Sequence, residues 1–272
     1  MINTDRRTIE QKLERILIQV QKPGRYVGGE YNQIVKSWDS VKTHVALAFP
    51  DIYDIGISNL GMAILYEIVN QRDDVLLERV YSPWVDMETL MRKEQIPLFS
   101  LESKTPIRHF DILGISLPYE TLYTNALNLL DLAGIPLRSS ERTIVHPLVI
   151  AGGQAVFNPE PMAEFIDAFV IGEGEDAIIE VINRYQEWKQ EKSSRQRLLE
   201  MLSTLSGVYV PSLYQPEYNE DGTLRKLAKL YSNAPDQILK RFCPKLPEPP
   251  TRFLVPNIDV VHNRVSIEIM RG

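Results

Sequence analysis

The strongest constraint on the fold of this chain is a regular alternation of short apolar runs and helical patterns between about residues 40 and 192. The apolar runs have the length of strands, and the stretches between them repeat apolar residues at helical spacing. Strands are predicted over residues 44–49, 75–82, 111–117, 147–152 and 167–172, and helices over 58–71, 84–95, 119–134 and from 175 onward. Ser58 is predicted to cap the first of these helices, Gly134 to end the third, and NPEPMAEF (158–165) to form a short helix between the last two strands. Such alternation is typical of βαβ units with right-handed crossovers. We therefore predict an α/β fold: a doubly wound, mostly parallel five-stranded sheet of the Rossmann or flavodoxin type.

The segments on either side of this core have a different character. Helical spacing predicts a helix over residues 6–20, and the glycine-rich stretch KPGRYVGGEYN follows it. Beyond a further helix near 195–205, the pair Asp221-Gly222 predicts a β-hairpin, and five prolines within 244–256 predict an extended linker. The predicted domains are the N-terminal helix and loop (1–39), the α/β domain (40–206), the hairpin and linker (207–256) and a final strand region (257–272).

The composition excludes several classes of function. The 272 residues are 44% apolar and 24% charged, as in ordinary soluble domains, and a net charge of -6 disfavours nucleic-acid binding. No apolar run is long enough to cross a membrane, and the N-terminus lacks the pattern of a secretory signal. We therefore predict a cytoplasmic protein without a membrane or nucleic-acid partner. The single cysteine, Cys243, excludes an internal disulfide and a multi-cysteine metal cluster within these residues.

Four loops are expected to meet at the carboxyl edge of the sheet, where doubly wound folds bind ligands. They are PDIYDIGIS, PYE, GGQAVFNPEP and GEGED, after the first, third, fourth and fifth strands. Gly152 and Gly153 would allow a bulky ligand to approach the backbone closely. Glu173 lies between Gly172 and Gly174 at the start of a helix, where acidic residues are favoured. The same residues also suit a tight turn and an acidic helix cap, so both interpretations stay open.

Sequence motifs for nucleotide binding and for catalysis are missing. No GxGxxG or GxxxxGK[ST] pattern occurs. The four histidines, His44, His109, His146 and His262, lie far apart and show no metal-binding spacing. No Ser/His/Asp or Cys/His arrangement can be assembled. The residues alone indicate a ligand-binding α/β domain without visible catalytic apparatus.

The loop after the first strand resembles a known cofactor motif. Asp51, Tyr53 and Gly56 have the spacing of the D-x-H-x-x-G loop of cobalamin-binding domains, whose histidine is the lower ligand of cobalt. Ser116, followed directly by Leu117, is an imperfect match to the next motif of those domains. The resemblance implies cobalamin as cofactor, with its nucleotide tail near the paired glycines. The candidate cofactor-binding residues are then Asp51, Tyr53, Asp54, Gly56, Ser58, Ser116, Tyr119, Gly152, Gly153, Gly172, Glu173 and Gly174.

A second resemblance covers nearly the whole chain. The stretches KPGRYVGGE, FPDIYDIGISNLG, ERVYSPWVDME and AGGQAVFNPEPMAEFIDAFVIGEGE resemble a family of radical SAM proteins with an N-terminal B12-binding domain. In that family a strand runs into a C-x3-C-x2-C motif, whose cysteines hold the [4Fe–4S] cluster that cleaves S-adenosylmethionine. The resemblance implies that NRVSIEIMRG (263–272) begins the catalytic barrel and that the chain is cut just before the cysteines. The cluster and S-adenosylmethionine would then belong to the full-length protein, and the barrel would be this domain's partner.

Tyr53 stands where that motif has its cobalt ligand. A neutral phenol is a poor ligand for a transition metal, and the pKa of a tyrosine is ordinarily about 10. The substitution therefore implies a base-off cobalamin without a strong protein ligand to cobalt, with Tyr53 near that face. The alternative is that Tyr53 packs beneath the loop and no corrinoid binds.

Three functions follow from these patterns. The first is a cobalamin-binding accessory module of a radical SAM enzyme of unknown substrate, not catalytic alone. The second is a domain of the same fold that docks on the barrel or controls access of the substrate, without cobalamin. The third is a stand-alone α/β protein that binds a nucleotide or flavin.

Overall fold

A mixed sheet forms the centre of the computed structural model, which describes residues 2–245, 247–262 and 264–270. Its strands are β1 Thr43–Phe49, β2 Val75–Tyr81, β3 Ile112–Ser116, β4 Leu148–Gly152, β5 Ala168–Val170 and β6 Val208–Tyr209. They lie in the order β2-β1-β3-β4-β5-β6. The first five strands are parallel, and β6 is antiparallel to β5. The predicted doubly wound α/β fold is thereby confirmed.

Helices cover this sheet because nearly every strand residue is apolar and needs burial on both faces. The α-helices of the described chain are α1 Ile2–Ile16, α2 Tyr53–Gly56, α3 Leu60–Asn70, α4 Val85–Lys93, α5 Tyr123–Ala133, α6 Glu175–Glu191 and α7 Arg195–Ser203. α3 packs against β1, β2 and α6 on one face. Right-handed crossovers place α4 and α5 on the other face, where Arg92 of α4 bonds Asp131 of α5 at 2.8 Å.

The strand register brings the loops of interest together. Ser116, the last residue of β3, pairs with Gly152, the last residue of β4, and Gly152 pairs with Val170, the last residue of β5. Parallel strands that end in register deliver their following loops to one edge of the sheet. α3, which follows β1, begins at that same edge, so this edge is where a ligand site is to be sought.

One predicted helix end is confirmed in detail. Gly134 follows the last residue of α5 and adopts φ of 66°. Its N–H donates to the carbonyl of Asp131, which closes the last turn. This left-handed conformation strongly favours glycine.

The region after α7 contains the predicted hairpin and one strand that was not predicted. A β-hairpin forms between β7 Tyr214–Tyr218 and β8 Leu224–Lys229, with Asp221 and Gly222 in its turn. Val208 and Tyr209, however, belong to the main sheet as a sixth strand against Val170 and Phe169. A strand of two residues is too short to produce an alternating pattern in the sequence.

Three smaller predictions were wrong. Ser58 is not the cap of α3; the side chain of Asn59 accepts the N–H of Met62 instead. The helix expected between β4 and β5 is two short 3-10 turns, Gln154–Phe157 and Glu160–Met162, where prolines disfavour a continuous helix. The strand expected at 263–272 is not formed over residues 264–270, and positions 263, 271 and 272 lie outside the described residues. A strand needs a partner for its backbone groups, and no strand of the described residues pairs with this segment.

The segment after the hairpin returns to the N-terminal part of the protein. Val255 forms an antiparallel bridge with Tyr31, and the side chain of Asn257 donates to the carbonyl of Gly28 at 3.1 Å. The N–H of Val261 donates to the carbonyl of Asp54 at 3.2 Å. Residues 255–261, from the end of the predicted linker into the segment beyond it, thus cover the glycine-rich loop and the loop after β1. Within the described part of the chain, no helix is both long and apolar enough to cross a membrane.

Candidate functional site

A cavity of about 490 Å³, which we call the edge cavity, opens at the carboxyl edge of the sheet between α3 and α6. The loops after β3, β4 and β5 form its floor. Six of the predicted cofactor-binding residues line it: Ser116, Gly152, Gly153, Gly172, Glu173 and Gly174. The structure therefore brings together the half of the predicted site that comes from the later strands.

The walls of the edge cavity are apolar and its mouth is acidic. Leu47, Leu65, Ile115, Ile150, Val170 and Ile178 line its interior. Glu173 and Glu175, at the start of α6, and Glu268, in the segment after the hairpin, carry carboxylates around it. Such a cavity suits a neutral, largely apolar group and disfavours an anion, because negative charges repel one another across a site of low dielectric.

Two glycines of this edge are required by the protein's own packing. Gly153 has φ of 111°, and a Cβ atom there would lie 2.5 Å from the carbonyl oxygen of Leu117. Gly172 has φ of 112°, and a Cβ atom there would overlap the backbone of Arg241, which pairs with it as a short parallel bridge. Gly152 differs, because its nearest neighbour, Val170, is 4.0 Å from such a Cβ atom. Of these three positions, only Gly152 leaves space for a ligand.

Tyr53 does not line the edge cavity. Its side chain is buried, with 2% of the residue exposed, and its hydroxyl donates a 3.0 Å hydrogen bond to Oε1 of Glu30. The ring meets that of Tyr81 edge to face, with centroids 5.4 Å apart. Burial raises the pKa of Tyr53, and the Glu30 carboxylate raises it further. The phenol is therefore neutral and enclosed, which makes it unfit to ligate a metal above the sheet edge.

Asp54 is held by the other end of the glycine-rich loop. Lys22 Nζ lies 2.7 Å from one carboxylate oxygen and Arg25 Nε lies 2.6 Å from the other. Burial raises the pKa of Asp54, but the hydrogen bonds from Arg25 and Lys22 outweigh it, so the pKa lies below its usual value. The motifs KPGRYVGGE and DIYDIG are thus partners of each other: Lys22 and Arg25 bind Asp54, and Glu30 binds Tyr53.

A buried charged network extends from Glu30 into the sheet. Arg79, in β2, bonds Glu30 through Nη2 at 3.0 Å and Glu102 through Nε at 2.6 Å. All three side chains are at most 2% exposed. Burial alone would lower the pKa of Arg79, but the carboxylates of Glu102 and Glu30 raise it, so the guanidinium stays charged. Buried charges that are paired and fully bonded in this way specify geometry, and removal of one partner is costly.

The four remaining predicted residues lie apart from the edge cavity. Asp51 accepts the N–H of Ile52 and stabilises its own loop. Gly56 lies where a Cβ atom would come within 2.5 Å of the Tyr81 ring. Tyr119 is exposed on the loop after β3. Ser58 lines a second cavity at the start of α3, described below.

Several residues of the edge cavity were not predicted from the sequence. Gly61 and Leu65 enter from α3, Ile178 from α6 and Glu268 from the far end of the chain. Gly61 and Leu65 are four residues apart and lie on one face of α3, so helical spacing could have placed them together. Glu268 had none, because its position depends on how residues 251–261 dock on the N-terminal loop.

Fold and cavity together define a doubly wound α/β domain with a ligand-type cavity at its carboxyl edge. The family model for the N-terminal region of radical SAM proteins matches residues 61–211, more than half of the chain, so the chain belongs to that family. The matched region runs from the first turn of α3 to just beyond β6, and contains most of the edge cavity.

One curated relative is an uncharacterised protein of Methanocaldococcus jannaschii. It is 28% identical over 144 residues, which are 52% of this chain and 27% of the relative. The matched part of this chain therefore spans about a quarter of that protein's length. No solved structure matches the chain significantly.

Proposed function

We propose that this chain is the N-terminal accessory domain of a radical SAM enzyme and that its edge cavity receives the aromatic base at the end of a corrinoid's nucleotide tail. The family match supports the first part, since such domains accompany a catalytic domain that holds a [4Fe–4S] cluster and S-adenosylmethionine. The observation that carries the second part is the apolar edge cavity between α3 and α6, floored by Ser116 and Gly152. An aromatic base is the kind of flat, apolar group that such walls accommodate.

The residues fit one end of a corrinoid and not the other. Ser116, Gly152 and the apolar walls would hold the base of the tail. Tyr53 does not fit as a ligand to cobalt, because its hydroxyl is bonded to Glu30 and its ring is enclosed. When bound, a corrinoid would supply methyl-transfer or radical chemistry to the enzyme. This chain's own part would be to bind the tail and orient the cofactor.

Titration with hydroxocobalamin, followed by visible absorption and equilibrium dialysis, tests this proposal. Gly152→Val should abolish binding, because the added side chain enters the cavity while the backbone has room for a Cβ atom. Tyr53→Phe should leave the spectrum of the bound corrinoid unchanged. No binding to the folded wild-type chain at high micromolar cobalamin would reject the corrinoid. Wild-type binding by the Gly152→Val variant would reject the edge cavity as its site.

The proposed catalytic partner needs a separate test. The gene should encode three cysteines in a C-x3-C-x2-C arrangement beyond residue 272. The polypeptide translated from the whole gene should then bind iron and acid-labile sulfide, and alanine at those cysteines should remove both. A gene without that motif would contradict the radical SAM proposal for the whole protein, although the family of this domain would stand.

A docking domain without cobalamin is the second candidate. It is favoured by exposed aromatic side chains on loops at the carboxyl edge: Trp84 after β2, Tyr119 after β3 and Phe157 after β4. Aromatic residues that pair an apolar body with surface exposure are enriched at protein interfaces. This candidate expects no corrinoid binding, together with weaker association to the separately expressed catalytic domain when Trp84 and Phe157 are replaced by alanine.

A further inference from the structure

A second cavity at the carboxyl edge has the opposite electrostatic character from the edge cavity. This cavity, which we call the α3 cavity, has a volume of about 300 Å³ and lies between the start of α3 and the segment after the hairpin. Its polar lining residues are Ser58, Asn59, His262, Arg264 and Ser266. None of its described lining residues is acidic, although the whole chain carries a net charge of -6.

The amino end of α3 forms one wall of this cavity. The first N–H groups of a helix lack intrahelical acceptors and carry a partial positive charge. Asn59 satisfies the N–H of Met62 with its side chain and that of Ala63 with its carbonyl. The N–H of Leu60, which lines this cavity, meets no acceptor among the described residues, whereas Gly61 lines the edge cavity instead. One backbone donor, the N–H of Leu60, therefore remains at this wall.

The Ser58 hydroxyl is a second and independent sign of a missing ligand. Its oxygen is buried and has no hydrogen-bond partner in the described structure. A buried hydroxyl without a partner costs free energy, and its cost is recovered when a ligand accepts the bond. Rotation about one side-chain bond is enough to change the direction of the hydroxyl.

Arg264 supplies the charge on the opposite wall. Its backbone N–H donates to the carbonyl of His262, and its guanidinium lies 3.5 Å from the His262 ring. No carboxylate of the described residues neutralises the guanidinium. Guanidinium groups bind phosphate through paired donors. The rest of the cavity is apolar and includes Phe253, Leu254 and Val260. This wall favours a phosphate that carries an apolar substituent over free phosphate.

We propose that the α3 cavity binds the phosphate group of an organic phosphate monoester, held by Arg264, the Ser58 hydroxyl and the N–H of Leu60. The site is separate from the edge cavity and does not depend on corrinoid binding. Gly61, which lines the edge cavity, and Leu60, which lines the α3 cavity, are consecutive in α3. The two cavities are therefore separated only by the first turn of α3.

Isothermal titration of the 272-residue chain with phenyl phosphate and with inorganic phosphate, at constant ionic strength, tests the site. Both should bind saturably, and phenyl phosphate should bind more tightly if the site takes esters. Arg264→Gln should weaken binding about tenfold or more, as expected for the loss of a charged hydrogen bond. Arg252→Gln is the matched control, since Arg252 is exposed in the same segment and does not line the cavity.

Ser58→Ala separates ligand binding from folding. It should weaken phosphate binding severalfold while the melting temperature of the ligand-free protein stays the same or rises, because a buried hydroxyl without a partner is removed. The site would be overturned if the wild-type chain bound neither phosphate saturably at millimolar concentrations. Equal losses in the Arg264→Gln and Arg252→Gln variants would also overturn it, because they would show general charge screening. Tighter binding of inorganic phosphate than of phenyl phosphate would overturn the ester as its ligand.

Discussion

The hydroxyl of Tyr53 donates its hydrogen bond to Oε1 of Glu30, 23 positions earlier in the chain, at 3.0 Å. Tyr53, at the expected cobalt-ligand position, is therefore a buried residue of the protein interior. The bond also joins the glycine-rich loop to the loop after β1, and through Glu30 to the guanidinium of Arg79. The consequence for function is that a corrinoid on this domain would receive no ligand from Tyr53.

Tyr53→Phe should lower the free energy of unfolding by about 1–2 kcal/mol, the usual effect of removing one partner of a buried hydrogen bond. Glu30 keeps its bonds to Arg79, which limits the loss. Urea unfolding followed by circular dichroism measures the change. Tyr31→Phe is the control, because Tyr31 is 74% exposed and should be nearly neutral. Equal stability of the two variants would mean that the Tyr53–Glu30 bond contributes nothing.

Arg79→Met should destabilise the protein by about 3–5 kcal/mol, because it leaves the carboxylates of Glu30 and Glu102 buried without their cation. Arg92→Met removes an arginine with two carboxylate partners on the surface, and should cost less than about 1 kcal/mol. Thermal and urea unfolding of both variants provide the comparison. Similar losses of unfolding free energy in the two variants would contradict the expectation that the buried arginine matters more than the exposed one.

The Asp74 carboxylate should make stability depend on acid pH. Hydrogen bonds from Arg72, supported by one from Gln186, lower the pKa of Asp74 to about 2. A folded-state pKa below the unfolded value of about 3.9 stabilises the protein above pH 4, and the contribution is lost as pH falls from about 4 to 2.

The Asp74→Asn variant should therefore be less stable than wild type by roughly 1 kcal/mol at pH 6, and the difference should shrink as pH falls below 4. Unfolding by urea at a series of pH values measures it. The neighbouring exposed Asp73→Asn variant controls for the loss of one negative charge. A difference that stays constant down to pH 3 would show that the carboxylate's charge is not responsible.

Gly172→Ala should cost about 2 kcal/mol or more, because alanine is strained at φ of 112° and its Cβ atom would overlap the backbone of Arg241. Gly222→Ala, at φ of 81° in the open hairpin turn, should cost only about 1 kcal/mol. Limited proteolysis adds a local measurement: cleavage near Arg241 should accelerate in the first variant alone. Equal cleavage rates in the two variants would show that Gly172 does not hold the backbone of Arg241 in place.

The layout of the strands was predictable, and the reason is physical. Each of the five parallel strands is buried on both faces and therefore reads as a short apolar run bounded by loops. β6 was missed because two residues are too few to show a periodic pattern. Nothing in the sequence around Val170 indicates that another strand pairs with it. The strand expected at residues 263–272 was wrong because an alternating pattern is present there without burial. Val265 and Ile269 alternate with polar residues but are 66% and 89% exposed.

The candidate site was half predictable. Ser116, Gly152 and Glu173 follow strands that end in register, so topology alone gathers them. Tyr53 and Asp54 were grouped with them because they also follow a strand, yet each is held by the glycine-rich loop. The Glu78-Arg79 pair inside the otherwise apolar strand β2 was an available sign of buried charge that was not used in the prediction. Nothing local identified Glu30 as the partner of Arg79.

The amino-acid sequence by itself determined the elements of this protein, because apolar periodicity and the conformational limits of glycine and proline act over a few neighbouring residues. It thereby fixed a doubly wound domain and the edge where loops collect. Only the tertiary structure decided what each loop residue faces. Tyr53 meets Glu30, Gly172 meets Arg241, and Ser58 faces a cavity closed by Arg264. Those pairings join segments far apart in the chain, and their geometry depends on how every intervening element packs.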